Sequence, residues 1–286
     1  MIGGVSIGVA VEAACDQYAR GAASQGWVTD FVEYGVHTAV GIPDWVVETR
    51  RALGSGLTLH PLDLNMAQPE QGTGPWVESL ASLVKEHEVS ALVSDAGFWY
   101  LGRREGTWFR PPDMNVAAAR CRESAAAIAA VCGVPFRVEN PPLEWLPNSP
   151  SLWSFLDEAS DHEGVQICLD LSHVLQFERN VHGRSPVLSR SFPWERVAEI
   201  HLAGYVRAEY GGRTVYLDQH LADIPAEEYR LLSQVVELRG TQTPLGICLE
   251  MEPREPGAFV AAVDNIHAAI GAAAGRRPRT HAHQDR

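Results

Sequence analysis

Several hydrophobic segments of this chain end in a residue able to bind a cation or move a proton. His60 closes LTLH, Glu139 closes FRVE, Asp170 closes ICLD, Glu250 closes ICLE, and His201 lies within EIHLAG. Three more follow close behind: His173 comes three residues after Asp170 in ICLDLSH, and Asp218 and His220 form YLDQH. A carboxylate or imidazole in a strand buried on both faces must be paired, hydrogen-bonded or metal-bound, because its desolvation costs several kcal/mol. The four carboxylates of this set would repel one another strongly if brought together, unless cations lay between them. A multinuclear metal centre meets both conditions. Imidazole nitrogen with carboxylate oxygen suits Zn, Fe or Mn, and the lack of a cysteine in the set argues against a soft or structural site.

Taken singly, each residue has a plainer explanation. A lone His60 or His201 is more often a satisfied core histidine, Asp170 alone can cap a helix that follows it, and Asp218-Gln219-His220 is a weak motif. Taken jointly, eight ligand-type residues at or near successive strand ends are hard to obtain from structural needs. His37, His87, His162 and His267 fall in helix or loop contexts without such partners and read as surface residues, while His182, in NVHG, is placed in a loop near the proposed rim. Trp99, Tyr100, Trp108 and Phe109 follow the fourth strand, where they either floor a substrate pocket or serve ordinary packing.

The elements that must position these residues are short apolar, β-branched runs, most followed by a stretch with helical spacing. Eight runs are counted: Val5 to Val11, Asp30 to Tyr34, Leu57 to His60, Ala91 to Asp95, Phe136 to Asn140, Gln166 to Asp170, Ala198 to Leu202 and Gly246 to Met251. Helices are expected at 43–53, 75–88, 115–132, 150–161, 225–238 and 256–274. This alternation in 286 residues fits a (β/α)₈ TIM barrel of the α/β class, whose usual size is about 250 residues. An open doubly wound sheet is the alternative, but it would normally carry a Gly-rich phosphate loop after its first strand, and Gly3, Gly4 and Gly8 precede or sit within that strand. In such a barrel the candidate ligands converge on one rim. A single domain is expected over residues 1–274, followed by a mobile, polar tail, 275–286, whose His281 and His283 read as solvated.

Composition narrows the function classes. With 45% apolar and 21% charged residues the chain can build a core, and its net charge of −13 disfavours extended contact with nucleic acid. No run approaches the roughly 18 apolar residues of a membrane span. The apolar start, Met1 to Ala14, has no preceding positive charge, the first Arg being Arg20, so a cytoplasmic protein is expected rather than a secreted one. The five cysteines, Cys15, Cys121, Cys132, Cys168 and Cys248, are scattered, which suits reduced thiols.

The strings VENPP, ICLDLSH, NVHG, EIHLAGY, YLDQH and LEMEP, in this order, resemble the multinuclear non-heme iron-dependent oxidative enzymes, the MNIO family, from about Val5 to Ile266. EIHLAG followed by D-x-H is the most specific part. That family is similar in turn to endonuclease IV and xylose isomerase-like barrels. The resemblance implies a first metal between His60 and Glu139, a second held by Glu139, Asp170, His201 and Glu250, and a third held by His173, Asp218 and His220, with Glu139 bridging the first two. It further implies a mixed-valent iron pair that activates O₂ and oxidises a substrate, commonly a cysteine in a ribosomally made peptide, often with a small partner protein delivering that peptide. The chain departs from the family where Ser-Glu-His-Leu is usual: it reads Ser94-Asp95-Ala96-Gly97, and Ala96 cannot bind metal. Either Asp95 takes that role, or water or substrate does, or the first site is weak. His173 also stands where the family usually has Asn, which makes the third site fuller and closer to the endonuclease pattern.

The expected function is therefore iron- and O₂-dependent oxidation of a peptide or a small amino-acid-derived substrate. The competing readings are a trinuclear zinc phosphoesterase of the endonuclease IV kind, a metal-dependent sugar isomerase or epimerase with an acid/base pair, and a non-enzymatic metal-dependent binding protein. The acidic charge and the lack of a basic, aromatic-interleaved stretch count against the phosphoesterase.

Overall fold

Side chains alternate across a strand, so a polar residue at every second position of an apolar run gives each strand one apolar and one polar face. A computed structural model of the protein shows how both faces are buried. It describes residues 4–11, 29–68, 74–96, 98–101, 104–109, 114–142, 151–240, 242–251 and 257–276, with backbone alone over 98–101, 104–109 and 274–276. The strands are β1 (Val5–Ala10), β2 (Phe31–Val36), β3 (Gly56–Pro61), β4 (Ala91–Asp95), β5 (Phe98–Leu101), β6 (Arg104–Phe109), β7 (Phe136–Glu139), β8 (Val165–Asp170), β9 (Val197–Leu202), β10 (Gly204–Tyr210), β11 (Arg213–Leu221) and β12 (Leu245–Leu249). Eight of them close a parallel barrel in the order β1-β12-β9-β8-β7-β4-β3-β2. β1 pairs with both β12 and β2, and this closure excludes the open sheet.

The described helices are α1 (Asp44–Leu53), α2 (Pro75–Glu86), α3 (Met114–Cys132), α4 (Leu152–Ala159), α5 (Leu171–His182), α6 (Ala226–Arg239) and α7 (Gly257–Arg276). Leu57, Leu59, Val138, Ile167, Leu169, Ile200, Ile247 and Leu249 belong to one buried hydrophobic cluster with residues of these helices. The intervening series, Thr58, His60, Arg137, Glu139, Cys168, Asp170, Glu199, His201 and Cys248, fills the inside. Ionic contacts from His201 on β9 to Glu139 on β7 and Glu33 on β2, strands that are not neighbours, require this.

Six helices fall within a few residues of the expected ranges, and α7 runs two residues past the expected barrel end at 274. The extent of α5 was not anticipated. Leu171 through Glu178 are all buried although Ser172, His173, Gln176 and Glu178 are polar, so these polar side chains face the protein interior and not solvent. Two hairpins were also unexpected, β5–β6 and β10–β11. In the second, Tyr210 pairs with Arg213, and Gly211 (φ 57°) and Gly212 (φ 77°) make the two-residue turn, for which left-handed backbone at both positions favours glycine. Asn180 of α5 bonds both the N–H and the C=O of Tyr216, fastening this hairpin to the helix. Trp99, Tyr100, Trp108 and Phe109 lie on β5–β6, and their side chains fall outside the described part, as do residues 277–286 with His281 and His283.

Candidate metal centre

Parallel strands in register deliver the polar series to one level of the barrel. Asp95 pairs with Glu139 across β4–β7, and Asp170 with His201 across β8–β9. His60, Glu139, Asp170, His173, His201 and Glu250 are buried, and Asp95, Asp218 and His220 are partly exposed. The eight residues singled out in the sequence form one connected cluster. His60 Nε2 lies 3.7 Å from Glu139 Oε2, while Glu139 Oε1 lies 3.1 Å from His201 Nδ1. The two oxygens of one carboxylate therefore face two imidazoles. His201 Nδ1 is also 3.1 Å from Glu250 Oε2, which is 3.9 Å from His220 Nε2. Asp218 Oδ2 then joins His220 Nε2 at 3.3 Å to His173 Nε2 at 3.5 Å.

Ligand atoms of Glu139, Asp170, His201 and Glu250 lie within 4.8 Å of one another, and so do those of His60, Asp95 and Glu139. Asp95 Oδ2 is 3.4 Å from His60 Nε2, so the carboxylate before Ala96 reaches the group from which a family imidazole is missing. Ala96 itself is fully buried in the hydrophobic cluster, and its N–H donates to the Glu139 carbonyl at 2.9 Å.

Orientation is fixed from behind. Asn140 donates its amide N–H to the Asp170 carbonyl and accepts the Asp170 N–H, both at 2.9 Å, locking the end of β7 to that of β8. The Asn140 carbonyl faces His173 Nδ1 at 2.7 Å; a carbonyl only accepts, so Nδ1 carries a proton and Nε2, turned toward Asp218, is the nitrogen that a cation could take in place of a proton. Asp170 does two jobs: Oδ1 accepts the His173 N–H at 2.6 Å as the cap of α5, and Oδ2 faces the cluster. His220 holds a left-handed backbone, φ 46°, just past Asp218 on β11. Strained non-glycine backbone of this kind persists where surrounding structure imposes it.

The electrostatics explain why such a cluster needs cations. Asp95 Oδ1, Glu139 Oε2, Asp170 Oδ2, His173 Nε2 and Asp218 Oδ1 are buried without a hydrogen-bond partner. Burial pushes the Glu139 carboxyl up to about 8, with Asp95 and Glu250 adding repulsion that His201 only partly offsets. Burial likewise raises Asp170 to about 6, against the pull of His173. Burial works against protonation of His60, His173 and His201, yet their neighbours hold all three well above the usual imidazole value: the facing carboxylates for His60 and His173, and Cys168 followed by Glu250, Glu139 and Glu33 for His201. For Glu33, burial raises the carboxyl but His201 and His60 outweigh it, to about 2. These are the proton affinities of a site whose charge, without cations, is balanced by protons. The orphaned oxygens and nitrogens fit two or three divalent ions bound through N and O.

Three participants escaped the sequence reading. Glu33 lies mid-strand in FVEYG, 3.3 Å from His60 Nδ1 through Oε1; an acidic residue inside a β-branched run was the available signal. Glu199 is fully buried and ion-paired to Arg137 beneath His201. Glu228, from α6, accepts the Ala203 N–H at 3.0 Å. His182, expected near the rim, instead ends α5, exposed and edge-on to Phe177, because α5 carries it away from the strand ends. His37, His162 and His267 are exposed and His87 is half-buried at the end of α2. Cys121, Cys132, Cys168 and Cys248 are not joined in disulfides. No described helix is long and apolar enough to cross a membrane.

Comparison with solved structures gives the same architecture. A xylose isomerase-like TIM barrel protein from Mycobacterium smegmatis, in complex with magnesium, is 14% identical with a TM-score of 0.54, covering 91% of this chain and 88% of that one. Endonuclease IV from Thermus thermophilus is 18% identical with a TM-score of 0.52, covering 93% and 99%. Among curated sequences, a UPF0276 protein of Vibrio vulnificus is 27% identical over 113 residues, 39% of this chain and 39% of that protein. The chain thus matches about two fifths of the length of the curated relatives. The family model of RiPP precursor modification enzymes, MbnB/TglH/ChrH, matches residues 17–269, and the chain belongs to that family.

Proposed function

We propose that the protein is a multinuclear non-heme iron enzyme that uses O₂ to oxidise a ribosomally made precursor peptide, commonly at a cysteine. The observation that carries this reading is the Glu139 carboxylate, buried, with one oxygen toward His60 and the other toward His201. A carboxylate so placed is suited to share its charge between two cations. His60, Asp95 and Glu139 would hold the first ion, Glu139, Asp170, His201 and Glu250 the second, and His173, Asp218 and His220 the third. Iron bound there supplies electrons to O₂ and an open position for a substrate donor atom.

The side chains of the chain do the rest. Asp95 brings a negative charge where the family uses a neutral imidazole, which favours the higher oxidation state at the first position. Asn140 holds His173 in the tautomer that frees Nε2. The buried carboxylates Glu139 and Glu250 disfavour anions that do not bind a cation directly, so the incoming group is one that would bond to the metal, a thiol that gives up its proton on binding or a neutral donor strong enough to displace water. The substrate is a peptide or a small amino-acid-derived molecule, a small partner protein delivers the peptide, and the reaction takes place in the cytoplasm. Zinc is the competing metal, since this donor set accepts it equally well, and His173 in place of the family's Asn favours a hydrolytic alternative.

Anaerobically purified protein should contain at least two irons and consume O₂ only with iron and a short Cys-bearing peptide encoded beside its gene. Turnover of a phosphodiester by zinc-loaded, iron-free protein, with no O₂ uptake by the iron form, would replace the oxidative reading.

A further inference from the structure

Each histidine that faces Glu139 has a second ring nitrogen, and both of these turn toward the same atom. His60 Nδ1 lies 3.3 Å from Glu33 Oε1, and His201 Nε2 lies 3.5 Å from that same oxygen. On their other edges His60 Nε2 faces Asp95 and Glu139, and His201 Nδ1 faces Glu139 and Glu250. His201 Nε2 is buried and makes no hydrogen bond in this structure; the carboxylate oxygens within 4 Å of it are Glu33 Oε1 at 3.5 Å and Glu199 Oε1 at 3.9 Å, and the other oxygen of Glu199 is engaged by Arg137. Glu33 comes from β2, beside β3, which carries His60, whereas β9, which carries His201, lies three strands away around the barrel. One carboxylate thus reaches across the barrel behind two ligands that belong to different metal groups.

We propose that Glu33 is a positioning residue that accepts the ring N–H of both His60 and His201 on Oε1, fixing the tautomers in which His60 Nε2 and His201 Nδ1 are the metal-binding atoms. A carboxylate oxygen has two lone pairs, so one atom can serve two donors. An imidazole that donates its remote N–H to a carboxylate is held in place and made a stronger base, and removing such a partner typically weakens metal binding about 10- to 100-fold. The shared acceptor also means that the two ions lose support together. Without Glu33, each ring is free to flip its tautomer and present the wrong nitrogen. This role rests on the metal centre proposed above.

The test uses zinc as a diamagnetic probe in full-length protein labelled with ¹⁵N-histidine, its ring signals assigned by single-histidine replacements. In the wild type, long-range ¹H–¹⁵N spectra should show the proton of His60 on Nδ1 and that of His201 on Nε2, with the opposite nitrogens metal-bound. Glu33→Gln should weaken zinc binding about 10- to 100-fold at the two positions served by His60 and His201, shift both ring signals, and leave His173 and His220 unmoved. A substitution that only loosened the fold would disturb all four rings. Metal on His60 Nδ1 in the wild type would make Glu33 a ligand and overturn the proposal, as would unchanged zinc affinity and ring shifts in Glu33→Gln. Wild-type protein that takes up no zinc at all would overturn the metal reading itself, and the role of Glu33 with it.

Discussion

Two parts of the cluster are built differently. The group around Glu139 stands on barrel strands, all but Asp95 of its members buried, and its carboxylates outnumber its imidazoles. The group of His173, Asp218 and His220 straddles α5 and the β10–β11 hairpin, which is fastened to α5 through Asn180. In the first, burial and mutual repulsion push Glu139 up to about 8 and Asp170 to about 6. In the second, burial opposes ionisation of Asp218, but His173 and His220 overcome it and hold the carboxyl below its ordinary range, while His220 rises to about 10. The hairpin group balances its own charge. The strand group does not, and depends on cations or protons for its integrity.

The most damaging test of that difference is Glu139→Gln. Removing the charge shared by two cations weakens a ligand to each and raises their repulsion, so the variant should lose two equivalents of metal together and keep the third. Oxidative activity should fall by more than about 100-fold, on the scale of removing a core catalytic interaction. Metal analysis checks it, and loss of a single equivalent would mean that Glu139 does not bridge.

Asp218→Asn should do the reverse, emptying the hairpin group alone. The neutral amide leaves His173 and His220 without their carboxylate, and third-site affinity should drop about 10- to 100-fold while the strand-borne pair stays loaded. Equal losses in the two variants would make the cluster one cooperative site.

The same division governed what the sequence disclosed. The strand-borne residues were legible because a charged residue at the end of an apolar run is rare and strand ends converge in a barrel. Glu33 carried the same signal but sits mid-run, where position gives no hint of convergence. Its importance arises from reaching across the barrel, which no spacing encodes. Asp218 and His220 were legible only as a weak D-x-H string plus a resemblance, although Gly211-Gly212 between polar, aromatic-bearing segments was a readable hairpin turn. α5 was obscured by its start, since it follows β8 with no loop between them, Asp170 ending the strand and Leu171 opening the helix, so no break marks where one period gives way to the other.

Asp95 separates two accounts of the first position. With its carboxylate 3.4 Å from His60 Nε2, Asp95→Ala should weaken binding there about tenfold and spare the other two positions, with stability changed little because Asp95 is partly exposed. The companion change, Ala96→His, should not restore a family-like ligand. Ala96 is fully buried among apolar residues, so an imidazole there overpacks the core at a cost of about 1–3 kcal/mol. Competitive metal titration and thermal melts read both variants, and a gain of metal in Ala96→His would show that the segment after β4 turns its side chains as the family does.

The smallest effect is a pH dependence, and its sign follows from the strand group. Glu139 ionises at 4.5 in the unfolded chain and at about 8 in the metal-free fold, so the fold binds the extra proton and loses stability as pH rises from 4.5 to 8. Asp170 acts in the same direction but is spent by about pH 6. His60, His173, His201 and His220, all raised, add stability that is complete below 6.5 and disappears as pH climbs through their folded values. Glu33 and Glu250, both lowered, contribute a constant amount above 4.5. The melting temperature of chelator-treated protein should therefore fall between pH 6 and pH 9, by several degrees if one or two kcal/mol is lost, at about 2–4 °C per kcal/mol for a domain near this size. Metal binding requires deprotonated ligands, so the stabilisation given by added metal should grow over the same interval and the two melting curves should diverge. In metal-free Glu139→Gln the fall should be shallower, because the strand group has lost its most strained carboxylate. In metal-free Asp218→Asn it should persist. A metal-free melting temperature that rose from pH 6 to pH 9 would show that the strand group carries no excess of negative charge.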